Sequence, residues 1–246
     1  MRALPTIALA LLALLGWGLA AWWLDSPTMP GPWQVALAAG MLAMDGRLVA
    51  DVGASLGRVT VGFFAAAVLG VLLGAASAAL GRWGRALRRL LELLRPIPPI
   101  AWVPLAILWF GLGDPSAWFI VFLGAFFPIY IQVTLALADC PPAWLELARS
   151  LGARPGLVLW RVRLPAAMPQ VVAGLRTGLG LAWTSLIAAE LVGAQSGLGY
   201  RIQMHRLVLE TEGVMVGMLC IGLLGAAMAL AASWLERRLL PWSGAS

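Results

Sequence analysis

Residues 59–80 read VTVGFFAAAVLGVLLGAASAAL, a run of 22 positions without a charged side chain. An α-helix needs about 20 apolar residues to cross a bilayer. The whole chain is 61% hydrophobic and 11% charged, with a mean hydropathy of +0.90, whereas soluble domains are about 45–50% apolar and ~25% charged. The sequence therefore predicts an all-α membrane protein and excludes a soluble enzyme domain.

Five further apolar runs extend this prediction to six transmembrane helices. Approximate bounds for these runs are 7–24, 100–112, 117–138, 171–194 and 214–235. The third of the six spans is interrupted by prolines, and Gly113-Asp114-Pro115-Ser116 before the fourth predicts a tight turn. Residues 26–51 form a proline-containing linker with a short amphipathic stretch around 33–44.

The first apolar run has two interpretations. A basic start followed by an apolar core is typical of a secretory signal peptide. However, the run spans 18 residues and ends in Trp22 and Trp23 without a small-residue cleavage site. We therefore expect a retained first helix.

The basic residues are all arginines, and their distribution predicts the orientation. If the N-terminus lies inside, thirteen arginines are cytoplasmic and only Arg47, Arg58, Arg201 and Arg206 are outside. Such an asymmetry is the positive-inside pattern of a multi-pass membrane protein with both termini in the cytoplasm. Short arginine loops between apolar runs favour contact with the lipid bilayer and not with nucleic acid.

Several chemistries are excluded by composition. The chain has no lysine, so it carries neither a Walker A phosphate loop nor a Schiff-base lysine. Cys140 and Cys220 lack the spacing of a metal site or a CxxC motif, and we expect both to be reduced thiols. The sequence predicts no catalytic residue and no metal ligand.

Small residues recur four positions apart in the spans, which lets helix backbones approach closely in lipid. The pairs are Gly53/Gly57, Gly70/Gly74, Gly174/Gly178 and Gly213/Gly217. They indicate either packing within one subunit or a subunit interface, and we favour the former.

One carboxylate, Glu190, interrupts an apolar run. An ionisable residue at membrane depth is a candidate functional site by default. Glu190 either lines a substrate path, together with Thr184 and Ser185, or is structural, in which case it reaches the outer interface or pairs with an arginine such as Arg58. Pro128, inside the fourth span, removes a helical hydrogen bond, which is tolerated where the helix is buried or lines a cavity. We therefore include it among the candidate path residues.

The polar segment 139–169 is too patterned to be a simple connector. Pro141-Pro142 predicts a helix start, and Gly152 predicts its end. Pro155 then restarts a helix, which Leu164-Pro165 is expected to end. From the residues alone, this helix–glycine–helix unit fits a pair of interfacial helices on the inner leaflet.

The same segment resembles a cytoplasmic motif in permease subunits of bacterial binding-protein-dependent ABC importers. That motif reads Glu-Ala-Ala, three residues, Gly, nine residues, Ile-x-Leu-Pro. Here Glu146-Leu147-Ala148, Gly152 and Val162-Arg163-Leu164-Pro165 match both gaps, with Leu147 and Val162 as conservative departures. Residues 95–111, 124–128, 188–190 and 196–200 resemble the branch that imports sulfonates, taurine and nitrate.

The resemblance implies a type I ABC importer permease fold with both termini cytoplasmic. It places the first helix and a periplasmic linker in 1–50, an ABC transmembrane domain with a five-helix core in 51–238, and a tail in 239–246. Coupling helices fall near 141–163. The coupling residues implied by the motif are Glu146, Leu147, Ala148, Gly152, Val162, Leu164 and Pro165.

The resemblance also implies partners. They are cytoplasmic ATPase subunits that carry ATP and magnesium, a second and commonly identical permease copy, and a periplasmic or lipid-anchored substrate-binding protein. The chain itself is expected to bind no cofactor and no nucleic acid. Which sulfonate, taurine-like or nitrate-like anion is moved stays open, because selectivity in this family lies largely in the binding protein.

Two other functions compete with this interpretation. A secondary transporter usually shows internal repeats and more charges at membrane depth. An intramembrane serine protease would pair Ser196 with His205, but both residues fall in one polar outer loop, which is poor geometry for a catalytic dyad. We therefore favour an ABC importer permease.

Overall fold

The computed structural model describes residues 3–241, and the regular secondary structure within that range is all helical. Arg2 and the tail residues 242–246 lie outside the described residues. The helices are α1 (Ala3–Leu24), α2 (Pro32–Met44), α3 (Arg47–Ala79), α4 (Gly81–Leu94), α5 (Val103–Phe110), α6 (Asp114–Ala138), α7 (Pro142–Ser150), α8 (Pro155–Val158), α9 (Leu164–Gly193), α10 (Leu198–Leu207) and α11 (Thr211–Leu239). A 3₁₀ turn (Pro99–Trp102) precedes α5, and a π-helical turn (Leu159–Arg163) joins α8 to α9.

Five helices in the described chain are long and apolar enough to cross a membrane. A sixth crossing results if α4 and the segment Pro99–Phe110, which bend by 80° relative to each other, are counted together. The predicted third span, 100–112, is thus a 3₁₀ turn followed by the eight-residue α5. Its prolines explain the shortness, because proline removes backbone donors and restricts the residue before it.

The core consists of α3, α6 and α9. α6 lies between the other two, parallel to α3 and antiparallel to α9. Its small and β-branched residues allow close packing: Val133 lies against Gly74 of α3, and Ser185 of α9 lies against Gly124. Any side chain at these glycines would collide with the neighbouring helix, so the glycines determine how near the helices come.

The four glycine pairs were interpreted above as sites of packing within one subunit or as a subunit interface, and they do not all behave alike. Gly70/Gly74, Gly174/Gly178 and Gly213/Gly217 pack against other helices of the same chain, whereas no atom of the described chain lies over Gly53 or Gly57. Internal packing is thus confirmed for three of the four pairs.

Several helix boundaries differ from the prediction. α3 begins at Arg47, twelve residues before the apolar window, because polar partners from other elements satisfy Asp51 and Arg58 (described below). The predicted turn at Gly113–Ser116 is instead the start of α6, with Pro115 in the first turn, where proline is favourable. The polar loop after α9 contains a further helix, α10.

α1 is peripheral. Its leucines are exposed, and its described polar contact beyond its own helix is a hydrogen bond from Trp17 Nε1 to the carbonyl oxygen of Pro30 at 3.0 Å. An apolar helix with so little contact to its own chain is solvated by lipid or by another protein.

Candidate functional site

The cytoplasmic motif forms a helix with a well-defined end. α7 starts at Pro142 and ends where Gly152 adopts φ +78°. The Gly152 N–H donates to the carbonyl of Arg149 at 2.9 Å, and the Ala153 N–H donates to that of Ala148 at 3.0 Å. These two bonds are the Schellman pattern, in which a left-handed residue closes the last turn. The predicted glycine break is confirmed.

The second half of the motif differs from the prediction. Leu164-Pro165 does not end a helix, because the chain passes from α8 through the π-helical turn directly into α9. A π-helical turn hydrogen-bonds to residues five positions apart, and Pro165 then falls in the first turn of α9, where its missing N–H costs little. The helix–glycine–helix unit is therefore continuous with a core membrane helix.

The motif residues share one property, which is poor coverage by their own chain. Glu146, Leu147, Gly152 and Pro165 are exposed, while Ala148, Val162 and Leu164 are half-buried. Large apolar side chains nearby are also exposed, namely Trp144, Leu147, Leu151, Leu157 and Trp160. We call the unit 142–163 the cytoplasmic lever. A contiguous exposed apolar patch of this kind marks a protein or membrane contact.

A cavity of about 480 Å³ lies between α6 and α9, under the segment that leads into α5. Its lining includes three predicted path residues, Pro128, Thr184 and Ser185. Arg95, Gln132 and Thr177, which were not singled out from the sequence, also line it. Pro128 stays within α6, which continues through it.

Glu190 is not part of this cavity. Its side chain is fully buried and bound by Arg58 Nη1 at 2.9 Å and by Ser55 Oγ at 2.8 and 3.0 Å. Of the two interpretations given to Glu190, the structure therefore shows pairing with Arg58, and the geometry separates Glu190 from Thr184, Ser185 and Pro128.

Arg58 is the centre of a larger polar arrangement. Its Nε donates to Asp114 Oδ1 at 2.7 Å, and its Nη groups donate to the carbonyl oxygen of Ser196 at 2.6 Å and to Ser196 Oγ at 2.7 Å. Arg201 binds Asp51 at 2.6 Å. We call this set the outer charge cluster; its members are Asp51, Ser55, Arg58, Asp114, Glu190, Ser196 and Arg201.

The outer charge cluster also caps α10. The backbone N–H groups of Gly197, Leu198 and Gly199 donate to Asp51 at 2.8 Å, Ser55 at 3.0 Å and Glu190 at 2.9 Å. A helix leaves its first N–H groups without internal partners. Here side chains of α3 and α9 accept these bonds, so the start of α10 is fixed to two core helices.

Sequence reasoning missed most of this cluster, although a signal existed. Asp51, Ser55 and Arg58 are spaced by four and three residues, so they share one face of a helix if α3 is extended before its apolar window. The second half of the signal is Ser196-Gly197-Leu198-Gly199, whose small residues allow the backbone to approach that face.

The two residues considered for a protease are held apart. Ser196 Oγ accepts a hydrogen bond from Arg58, while His205 Nδ1 lies 2.7 Å from Glu210 Oε2. His205 also packs on Gly213 of α11. The arrangement has no serine–histidine hydrogen bond among the described residues and gives a nucleophile no base.

Comparison with known proteins identifies the family. The model of the binding-protein-dependent transport system inner membrane component family matches residues 66–242. The chain belongs to this family. It is a multi-pass inner-membrane permease of the ABC importer class, as the cytoplasmic motif indicated.

Individual relatives are similar over most of the chain. The taurine transport system permease protein of Escherichia coli is 36% identical over 242 residues, covering 96% of this chain and 88% of the relative. A putative aliphatic sulfonates transport permease of Bacillus subtilis is 34% identical, covering 97% and 86%. The nitrate import permease of a Synechocystis strain is 33% identical, covering 80% and 72%.

Solved structures support the fold. A chain of the inward-facing MetNI methionine ABC transporter matches with a TM-score of 0.67 at 22% identity, covering 80% of this chain and 97% of that one. An amino acid ABC transporter matches with a TM-score of 0.64 at 16% identity, covering 81% and 97%. The type I importer permease fold predicted from the resemblance is confirmed.

Proposed function

We propose that this permease forms the membrane path of an ATP-driven importer for a small anion of the sulfonate, taurine or nitrate type. The observation that carries the proposal is the cytoplasmic lever, which is exposed, apolar and continuous with α9. The substrate class is supported by the names of relatives that are 33–38% identical. A binding protein delivers the anion at the outer face.

ATP and magnesium are bound by a separate ATPase in this proposal, since the chain has no lysine with which to build a Walker A loop. The ATPase covers the exposed apolar side chains of α7 and α8. Glu146 supplies a polar contact, and Gly152 sets the angle between α7 and the segment that follows. Val162, Leu164 and Pro165 then transmit tilting of the lever to α9, because no loop interrupts the path.

A second copy of this permease completes the path. The supporting observation is a polar stripe on α9, where Thr177 and Thr184 are exposed within the apolar span. Polar side chains in that position face protein or a water-filled cavity, not lipid. Two differently tagged copies expressed together are expected to co-purify, and a strictly monomeric chain would contradict this part of the proposal.

The path itself passes the cavity lined by Pro128, Thr184 and Ser185. Glu190 contributes by holding the outer end of α9 and not by contact with the anion, since its oxygens are bound by Arg58, Ser55 and Gly199.

Co-purification tests the proposal. The tagged permease is expected to bring down an ATPase of the ABC class, and Leu147→Asp in the lever is expected to abolish that association. Leu207→Asp is the matched control, because Leu207 is equally exposed (63% against 61% for Leu147) but lies on α10. Equal ATPase recovery with both variants would contradict the assignment of the lever.

A further inference from the structure

The cavity between α6 and α9 has an unusual charge. Arg95 is the one charged side chain that lines it, and no carboxylate contributes to the lining. The remaining polar groups come from Gln132 of α6 and from Thr177, Thr184 and Ser185 of α9. The cavity is therefore positive, and its positive charge sits at one end of a polar wall.

Arg95 also forms no ion pair with an acidic side chain among residues 3–241. Glu92, the acidic residue nearest in sequence, is bound by Arg88 at 2.8 Å. Glu236, beside the adjacent face of α9, is bound by Arg176 at 3.3 Å. Within residues 3–241 the guanidinium of Arg95 has no hydrogen bond and no ion pair, so its charge is available to a ligand.

The polar wall contains further donors. The hydroxyl groups of Thr177 and Thr184 donate hydrogen bonds to carbonyl oxygens of their own helix, those of Ala173 and Leu181. In contrast, the Gln132 amide and the Ser185 hydroxyl have no hydrogen bond among the described residues, and both residues line the cavity. Two neutral donors and one guanidinium thus line the same cavity, and these are donor types that bind oxyanions.

We propose that this cavity is an oxyanion site on the inward path, with Arg95 as the recognising cation and Gln132 and Ser185 as donors. The proposal rests on the transport function proposed above and adds a site to it. Arg95 lies where the chain bends by 80° between α4 and the segment Pro99–Phe110, so the charge is placed at a break in the helix. Trp102 and Phe127 supply apolar walls for a short organic group.

Charge-selective labelling of a cysteine in the cavity tests this site. Thr184→Cys is made in a chain in which Cys140 and Cys220 are replaced by alanine. Inside-out membrane vesicles that contain this variant are treated in parallel with one of two thiol reagents. The anionic reagent is 2-sulfonatoethyl methanethiosulfonate, and the cationic reagent is 2-(trimethylammonio)ethyl methanethiosulfonate. The ratio of the two labelling rates reports the local potential, and the anionic reagent itself carries a sulfonate.

The expected result is that Arg95→Gln lowers the anion-to-cation rate ratio about tenfold, the size expected for loss of a partly shielded unit charge near the thiol. Arg95→Lys is expected to keep most of the ratio. Arg47→Gln is the control and is expected to leave the ratio unchanged, because Arg47 is exposed at the start of α3, at the outer end of the membrane domain. Ethanesulfonate is expected to slow labelling, whereas tetramethylammonium is not.

The proposal is overturned if Arg95→Gln leaves the ratio unchanged, if ethanesulfonate gives no protection, or if Thr184→Cys does not react from the cytoplasmic side. These outcomes are separable from failure of the transport function, because labelling requires no ATPase. Charge-selective protection without a co-purifying ATPase would retain the site and remove the function. An ATPase that co-purifies with a permease lacking selective protection would do the reverse.

Discussion

The two ends of the membrane domain differ in how far their side chains find partners within the chain. At the outer end, α3, α6, α9 and α10 meet in a cluster in which Asp51, Arg58 and Glu190 are buried and every charge is bound by an opposite one. At the cytoplasmic end, the lever has no buried residue in α7 and exposes several large apolar side chains. One end is complete within the chain, and the other requires a partner.

This difference fits a transporter whose membrane helices are moved from the cytoplasmic end only. A buried ion-pair network gives a defined arrangement because any displaced charge is left unpaired in a poorly polar environment. The lever can move as a unit, since few contacts hold it to its own chain. Movement that an ATPase imposes on α7 and α8 would then reach α9 while the outer end of α9 stays fixed.

The largest expected effect comes from breaking the outer charge cluster at its centre. Arg58→Ala leaves Glu190 buried without its cation, and removal of one partner of a buried pair costs about 3–5 kcal/mol. We expect a large fall in the thermal unfolding midpoint of the purified permease. Arg47→Ala is the control, because Arg47 is on the same helix but exposed. Equal unfolding midpoints for the two variants would contradict a cluster that stabilises the fold.

A smaller effect is expected from Glu190→Gln. The glutamine amide has the size of the glutamate carboxylate and can form part of its hydrogen bonds, and Arg58 retains its ion pair with Asp114. A lost charged hydrogen bond costs about 1–3 kcal/mol, so the permease should still assemble, with a lower unfolding midpoint and altered transport. Wild-type unfolding together with wild-type uptake kinetics would show that the charge of Glu190 is not needed.

The next effect in size concerns the attachment of α10. Arg201→Ala removes the ion pair to Asp51, but Asp51 keeps its bond from the backbone N–H of Gly197. We expect a loss of about 1 kcal/mol, since the pair is only partly buried. Amide hydrogen exchange should increase at 198–207 before it increases in α6. Uniform exchange across both helices would argue against a local role.

The smallest effect on stability is expected in the lever. Trp160 is 72% exposed, so Trp160→Ala should change the free energy of unfolding of the permease alone by no more than about 0.5 kcal/mol. The same variant should bind the ATPase measurably more weakly, because exposed aromatic residues are frequent anchors at interfaces. If Trp160→Ala lowered the free energy of unfolding but bound the ATPase normally, the lever would contribute to the stability of the permease and not to the interface.

The sequence predicted the membrane class, the family and the lever, but not the outer charge cluster. Apolar windows and the spacing from Glu146 to Pro165 are local signals, readable along the chain. The cluster joins Asp51 to Arg201 and Ser55 to Glu190, residues about 140 positions apart. In addition, the hydropathy pattern predicts that the second membrane helix begins only after Arg58. Such pairings depend on how helices pack.

The cavity falls between these cases. Pro128, Thr184 and Ser185 were predictable as polar or helix-interrupting residues within apolar runs, and the structure places all three around one cavity. Arg95 was counted only as one of many cytoplasmic arginines, because nothing local distinguishes it. Its role depends on the 80° bend that brings residues 95–102 over α6 and α9.

The central claim is that the cytoplasmic lever couples ATP hydrolysis to movement of the membrane helices. It is tested most directly by measuring uptake and ATPase activity together in membranes carrying Gly152→Asp. Gly46→Asp is the matched control, since Gly46 has a similar positive φ (+72° against +78°) and open space around it, but precedes α3. We predict that Gly152→Asp abolishes uptake while ATPase activity and membrane insertion persist, and that Gly46→Asp transports normally. Normal uptake by Gly152→Asp with the ATPase attached would contradict the account.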